Sequence, residues 1–226
     1  MHRPAPRTID TCLFDLDGTL IDSIELIRQS YAHTLREHGL PEVDHAHWLA
    51  GLGRPLSWQF NQFTQDPREV EAMIATYRVY NLARHDEMIT PFAGALEAVR
   101  ELKSRGVKLG IVTSKLRSGA HRGLKHCGFE GLFDVIVGSD DVARHKPEPE
   151  PVLSALSQLR ADATSCVMVG DSPHDLASGR SAGTATAAVA WGPFPVDELR
   201  ATRPDYWLDQ PRDIATLARS LVRRDG

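Results

Sequence analysis

The amino-acid sequence predicts an α/β fold, a parallel β-sheet covered by helices on both faces, interrupted early by an all-helical segment. Short apolar runs at Cys12–Phe14, Val107–Val112, Phe133–Val137, Cys166–Val169 and Thr186–Ala190 have the length and character of buried strands. Amphipathic helical patterns separate these runs from Thr90 onward, and alternating β and α elements imply a parallel sheet. Between Ile21 and about Met88 helical patterns follow one another with no convincing strand.

Taken in order, the first run (Cys12, Leu13, Phe14) leads straight into Asp15-Leu-Asp17-Gly-Thr and then into a helix. That helix carries Ile24, Ile27, Tyr31 and Leu35 on one face, with Gly39 and Pro41 as the stop. Short helices are expected over Asp44–Ala50 and from Leu56, on either side of a loop at Gly51–Pro55. A longer one is expected from about Pro67 to His85, with Val70, Met73, Ile74 and Tyr77 aligned. The helix of Ala95, Leu96, Val99 and Leu102 ends at Gly106, and the strand Val107–Val112 ends at Thr113, Ser114 and Lys115. A helix over Ser118–Cys127 and the strand Phe133–Val137 come next. His145-Lys146-Pro147 precedes a helix bearing Val152, Leu153, Leu156 and Leu159, and the strand Cys166–Val169 ends at Gly170 and Asp171. One more βα pair (Thr186–Ala190, Val196–Ala201), an edge strand at Tyr206–Leu208 and a final helix with Ile214, Leu217 and Leu221 complete the chain. The expected division is a Rossmann-like core of residues 1–20 and 91–226 with a helical second unit of residues 21–90. Its hinges fall near Leu20–Ser23 and Met88–Pro91.

At 226 residues the chain is long enough for a domain carrying an insertion. With 42% hydrophobic and 25% charged residues it has the material for a globular core. A formal net charge of −4, with Lys and Arg spread along the chain apart from Arg223-Arg224, argues against a nucleic-acid or anionic-membrane surface. The three cysteines, Cys12, Cys127 and Cys166, have no pair spacing and read as small core residues of a reducing compartment. The opening MHRPAPRTIDT has no apolar core and no run approaches membrane-spanning length, so the expected location is cytoplasmic.

Strand ends of a parallel sheet share one edge, where ligands bind. Asp15 and Asp17, Thr113 and Ser114, Lys146, and Asp171 with Asp175 therefore converge in one cleft. Four carboxylates there repel: two unit charges about 4 Å apart cost roughly 4 kcal/mol at an effective dielectric near 20, so a cation is required. An oxygen-only ligand set with open positions suits Mg²⁺. Lys146 adds a fixed positive charge, and a Thr or Ser hydroxyl with backbone N–H groups binds phosphate oxygens. A calcium loop fails on Gly18 and Thr19. Gly179-Arg-Ser181-Ala-Gly183 fits the hydrolase elbow in letters, but Ser181 falls late in a predicted helix and no His follows His174. Gly51-x-Gly53 lacks the third glycine and preceding strand of a dinucleotide fingerprint. Asp175, at N3 behind Ser172 and Pro173, also suits a helix start. Lys115 is expected as an ion-pair partner, and His85, at a helix end, as a water-facing residue.

The motifs Asp15-Leu-Asp17-Gly-Thr-Leu-Ile-Asp22-Ser, Thr113, Lys146-Pro and Gly170-Asp171-Ser-Pro-His-Asp175 together resemble, in order, the four motifs of the haloacid dehalogenase superfamily. That resemblance implies a phosphatase. Asp15 would be the nucleophile forming an aspartyl-phosphate, and Asp17 the acid and base, favouring phosphoryl transfer over dehalogenation. Thr113, Ser114 and Lys146 would hold the phosphoryl group. Asp15, Asp171 and the Asp17 carbonyl would bind Mg²⁺, with Asp175 orienting that set. The helical insertion matches the branch with a cap after the first motif. Thr76–Met88, Ile111–Arg117, Asp140–Leu153 and Ala188–Gly192 look most like its inorganic pyrophosphatases, beside phosphoglycolate phosphatases. Arg54, in the loop Gly51–Leu56, departs from that group and could clamp a carboxylate or a second phosphate. The implied partner is a small phosphorylated substrate, handled by a monomer or homodimer. Two alternatives remain open: a phosphosugar mutase of the β-phosphoglucomutase type, and, from another class, a phospho-accepting receiver-like domain, which is about half this length and lacks a cap.

Overall fold

A computed structural model of the chain describes residues 8–218. In chain order the elements are β1 (Thr11–Phe14), β2 (Ile21–Asp22), α1 (Ile24–Glu37), α2 (His45–Gly51), α3 (Leu56–Phe60), α4 (Pro67–Met88), β3 (Thr90–Pro91), α5 (Ala95–Ser104), β4 (Lys108–Val112), α6 (Arg117–His126), β5 (Val135–Val137), α7 (Glu150–Leu159), β6 (Cys166–Gly170), α8 (Pro173–Ser181), β7 (Ala185–Val189), α9 (Val196–Ala201) and β8 (Tyr206–Leu208). Six of the strands form one sheet in the order β5-β4-β1-β6-β7-β8, with every neighbouring pair parallel.

Successive residues of a strand point to opposite faces, and both faces here are buried. Cys12 and Phe14 of β1, with Val167 and Val169 of β6, pack with α5 and α6 through Val99, Leu102 and Leu124. Leu13 and Met168 pack on the other side with Val152 and Leu156 of α7. All four residues of β1 are buried, which places its carboxyl end at the middle of the sheet's edge.

Helices α1–α4 form the predicted helical block. Tyr31 of α1 stacks on Phe60 of α3 with centroids 5.5 Å apart, and Asn81 of α4 donates to Ser30 of α1 at 3.0 Å. The same apolar cluster takes in Leu176 and Phe194, so the block rests on the sheet-bearing part through side-chain packing. The two segments expected as hinges contain short strands paired antiparallel: Ile21 with Pro91 and Asp22 with Thr90. Two-residue strands carry no period, so the sequence pattern missed them.

Two further differences have local causes. The strand expected from Phe133 begins at Val135. There the Asp134 carboxylate takes the Leu109 N–H at 2.9 Å, which a continuing strand would have occupied. The expected final helix is, in its described part, a 3-10 turn over Pro211–Thr216, started by the Asp213 carboxylate accepting the Gln210 N–H at 3.0 Å. Leu221 and the pair Arg223-Arg224 lie outside the described residues. Among those described, no helix is long and apolar enough to cross a membrane, and the three cysteines are buried and free.

Candidate active site

The carboxyl ends of β1, β4 and β6 supply Asp15 and Asp17, Thr113 to Lys115, and Asp171. The start of α8 supplies Asp175, and the segment before α7 supplies Lys146. These residues line one open cavity of about 540 Å³, bordered also by residues of α4 and of the loop carrying Arg54. Residues more than a hundred positions apart thus meet as the sheet edge requires.

Lys146 is the electrostatic centre of the floor. Its Nζ donates to Asp15 Oδ1 at 2.6 Å, to Asp175 Oδ1 at 2.6 Å and to the Val112 carbonyl at 3.2 Å, so all three protons are placed in a site where Lys146 is 2% exposed. Burial alone would depress its pKa, but the charges of Asp15 and Asp175 outweigh that and push it up. Asp175 is held from its own helix as well: it accepts the Ser172 N–H at 3.1 Å and the Ser172 hydroxyl at 2.6 Å, while its N–H donates back. The capping box and the cleft contact are therefore one arrangement.

Asp15, Asp171 and Asp175 offer oxygens that all lie within 4.8 Å of one another, each buried. Burial raises the Asp15 carboxyl to about 7 against the pull of Lys146, with Asp175 adding to the rise. Asp171 is pushed well above the ordinary carboxylate range by burial, then by Asp15 and Asp175. Three buried carboxylates share one ammonium, and a charge deficit of this kind is what a divalent cation relieves. One oxygen of Asp15 is bound by Lys146 and one of Asp171 by the Thr19 hydroxyl at 2.7 Å. The second oxygen of each has no donor among the described residues. Two available carboxylate oxygens plus water suit Mg²⁺, which keeps several waters. The residues fit the ion. Gly18 makes room for this: at φ +89° it holds a conformation L side chains rarely adopt, and a Cβ there would sit 2.7 Å from Asp171 Oδ2.

The Asp17 carboxylate stands apart from that cluster. It accepts the Ser23 hydroxyl at 2.6 Å and is ion-paired with Lys115 at 2.8 Å. Burial opposes its ionisation, yet the Lys115 charge and the hydrogen bonds from Lys115 and Ser23 prevail and hold its pKa below the usual value. Thr113 is buried and its hydroxyl accepts the Lys115 N–H at 3.2 Å, which leaves its own proton to donate. Ser114 also lines the cavity, and its hydroxyl donates to the Gly53 carbonyl at 2.5 Å, tying β4 to the loop above.

Arg54 lines the cavity with its guanidinium 4.8 Å from the Trp58 ring centroid and a buried Nε that has no partner among the described residues. His85 corrects an expectation. It is 1% exposed, not water-facing, because α4 runs on to Met88 and carries it under α6. Its Nδ1 meets Asp86 at 2.7 Å, and Asp86 also binds Arg122 at 3.0 Å. Nε2 of His85 is buried without a partner among the described residues; its helical spacing, four and eight residues on from Asn81 and Tyr77 of the buried face, was the signal that could have found it. Ser181 of the elbow-like pattern is the exposed last residue of α8, away from any strand end.

The comparisons agree with this geometry. A family model described as haloacid dehalogenase-like hydrolase matches residues 12–189. The chain is 42% identical over 208 residues to "Pyrophosphatase PpaX" of Bacillus velezensis, covering 92% of this chain and 95% of that one. It is 44% identical over 211 residues to the protein of the same name in Bacillus pumilus, covering 93% and 96%. Among solved structures, a haloacid dehalogenase-like hydrolase from Bacteroides fragilis superposes with a TM-score of 0.84 at 26% identity, over 91% of this chain and 99% of that one. One from Streptococcus pneumoniae superposes with 0.81 at 28%, over 92% and 97%. Sheet order, clustered strand-end residues and matched length concur: the chain belongs to the haloacid dehalogenase-like hydrolase family, as an enzyme of its phosphatase type.

Proposed function

We propose that the protein is a Mg²⁺-dependent phosphohydrolase that works through an aspartyl-phosphate on Asp15, with pyrophosphate or a small phosphorylated metabolite as substrate. The observation that carries this reading is the Lys146 hub: one buried ammonium holding Asp15 and Asp175 beside Asp171. The names of the relatives in the two Bacillus species favour pyrophosphate.

In this reading an Asp15 oxygen attacks phosphorus and the bond from phosphorus to the leaving oxygen breaks. The electron pair goes to that oxygen, which takes a proton from Asp17; since Lys115 holds Asp17 ionised in the free site, Asp17 must first take that proton from solvent as substrate displaces the ammonium. Water then attacks the aspartyl-phosphate and gives its proton to the Asp17 carboxylate, and the Asp15 carboxylate is restored as phosphate departs. Thr113 donates its hydroxyl proton to the phosphoryl oxygens, and Lys146 fixes Asp15 and neutralises charge gathering on those oxygens. Asp15, Asp171 and the Asp17 carbonyl would hold Mg²⁺, with Asp175 orienting them through Lys146. Bound there, the ion supplies charge neutralisation for the phosphoryl group. Arg54 would meet the far end of the substrate, and α1–α4 would act as a cap that excludes water. Residues 1–20 and 91–226 would be the core and 21–90 the cap, in a cytoplasmic monomer or homodimer.

The test is phosphate release from pyrophosphate, phosphoglycolate and β-glucose 1-phosphate, each with and without Mg²⁺. Asp15→Asn should abolish release and keep the fold. Substantial turnover by that variant removes Asp15 from its role, and isomerised sugar phosphate without free phosphate replaces hydrolase by mutase.

A further inference from the structure

Lys115 lies two residues beyond Thr113, at the end of β4. Its Nζ donates to both oxygens of Asp17, at 2.8 Å and 3.2 Å. The side chain is 18% exposed and borders the cavity. Its stem lies against Gly119 of α6: a Cβ at that position would stand 3.3 Å from Lys115 Cγ and 3.5 Å from Cδ.

Asp17 hands its proton to the leaving oxygen, so the leaving group must come to the place where this ammonium already sits. We infer that Lys115 is the residue that reads the charge of the leaving group, favouring substrates whose leaving group is itself anionic, above all a second phosphate. The inference rests on the phosphohydrolase reading and deepens it. On binding, Nζ exchanges an Asp17 oxygen for a non-bridging oxygen of the leaving phosphate. Lys115 passes no proton; Asp17, released from the ammonium, takes one from solvent and gives it to the departing oxygen, and the bond that breaks is the one from phosphorus to the bridging oxygen. A neutral leaving group offers nothing in exchange for the Asp17 contact. Arg54 and Arg78 border the same cavity, so an anionic leaving group also enters cationic surroundings, and Lys115 is the one of the three placed on Asp17.

The experiment uses the full chain with saturating Mg²⁺ and compares kcat/KM for pyrophosphate with kcat/KM for p-nitrophenyl phosphate, whose leaving group is uncharged until its bond breaks. In Lys115→Met the ratio of the two should fall roughly 10- to 100-fold, the worth of one hydrogen bond from a charged donor. Lys115→Arg should keep most of the ratio, because it keeps the charge. Thermal melts of both variants establish that they are folded. An unchanged ratio in Lys115→Met, with both substrates losing equally, overturns the inference: Lys115 would then act only by holding Asp17. A wild type that cleaves p-nitrophenyl phosphate and ignores pyrophosphate overturns it too and leaves the phosphohydrolase reading intact. A wild type that cleaves neither sinks the reading itself.

Discussion

Gly18 and Asp171 stand so close that the backbone of one forms the wall of the other's carboxylate: a single added methyl group at position 18 would lie 2.7 Å from Asp171 Oδ2. Gly18→Ala should therefore fail twice. The positive φ costs about 1–2 kcal/mol for an L side chain, and the displaced carboxylate loses its place. Activity should drop by roughly 100-fold, the usual result of about a 1 Å misplacement. A folded Gly18→Ala variant with full Mg²⁺-dependent turnover would show that Asp171 does not need this position.

The buried acids set a pH trend in metal-free protein. Asp15 and Asp171 both have folded pKa values raised above the ordinary 3.8, Asp15 to about 7. Through these two acids the folded state binds extra protons above about pH 4, and their contribution to stability falls as pH rises through the folded values, while His85 and His174, whose pKa values burial lowers, push the other way. The contribution of the two acids to the melting temperature in chelator should decline from about pH 5 to about pH 8. Asp171→Asn, which keeps the acceptor for Thr19, should flatten that decline and raise the melting temperature at the alkaline end. A wild type whose melting temperature relative to Asp171→Asn rises over this range refutes the assignment.

The same protons must leave for a cation to bind, so apparent Mg²⁺ affinity should rise with pH over that interval, with protons released on binding. Calorimetry in two buffers of different ionisation enthalpy measures the release directly. Binding without proton release would mean that the ion sits away from Asp171.

Removing the hub should be costly. Lys146→Met leaves Asp15 and Asp175 buried without their shared cation, and breaking such an arrangement costs about 3–5 kcal/mol. Added Mg²⁺ should return part of the lost melting temperature while phosphate release stays absent. An unaltered melting temperature would show that the three bonds of Lys146 carry no net stability.

Ser114→Ala tests the tie to the loop above. Loss of the bond to the Gly53 carbonyl removes about 1 kcal/mol, which should appear as a KM raised roughly fivefold with kcat little changed. If instead kcat falls and KM holds, Ser114 contacts the phosphoryl group as its sequence position first suggested.

The strand-end residues were legible because each follows a short apolar run, and in a parallel sheet one rule places all such ends together. Lys146 and Asp175 were legible by type and order, and the capping pattern of Ser172 and Asp175 by spacing. What could not be read depends on contacts between distant helices. His85 could be placed on the buried face by its spacing from Tyr77 and Asn81, but its contact with α6 could not, and the bond of Ser114 to the Gly53 carbonyl depends on a loop 61 positions away. The Lys115 to Asp17 pair spans 98 positions, and its partner was not written in either local pattern.

The paired segments Ile21–Asp22 and Thr90–Pro91 bring the entry and exit of the helical block side by side. An inserted stretch that leaves where it arrived puts no thread through the sheet, so it can be lengthened, shortened or exchanged without altering the order of the six strands. The walls that α4 gives the cavity can change in such a protein while the residues at the strand ends stay as they are.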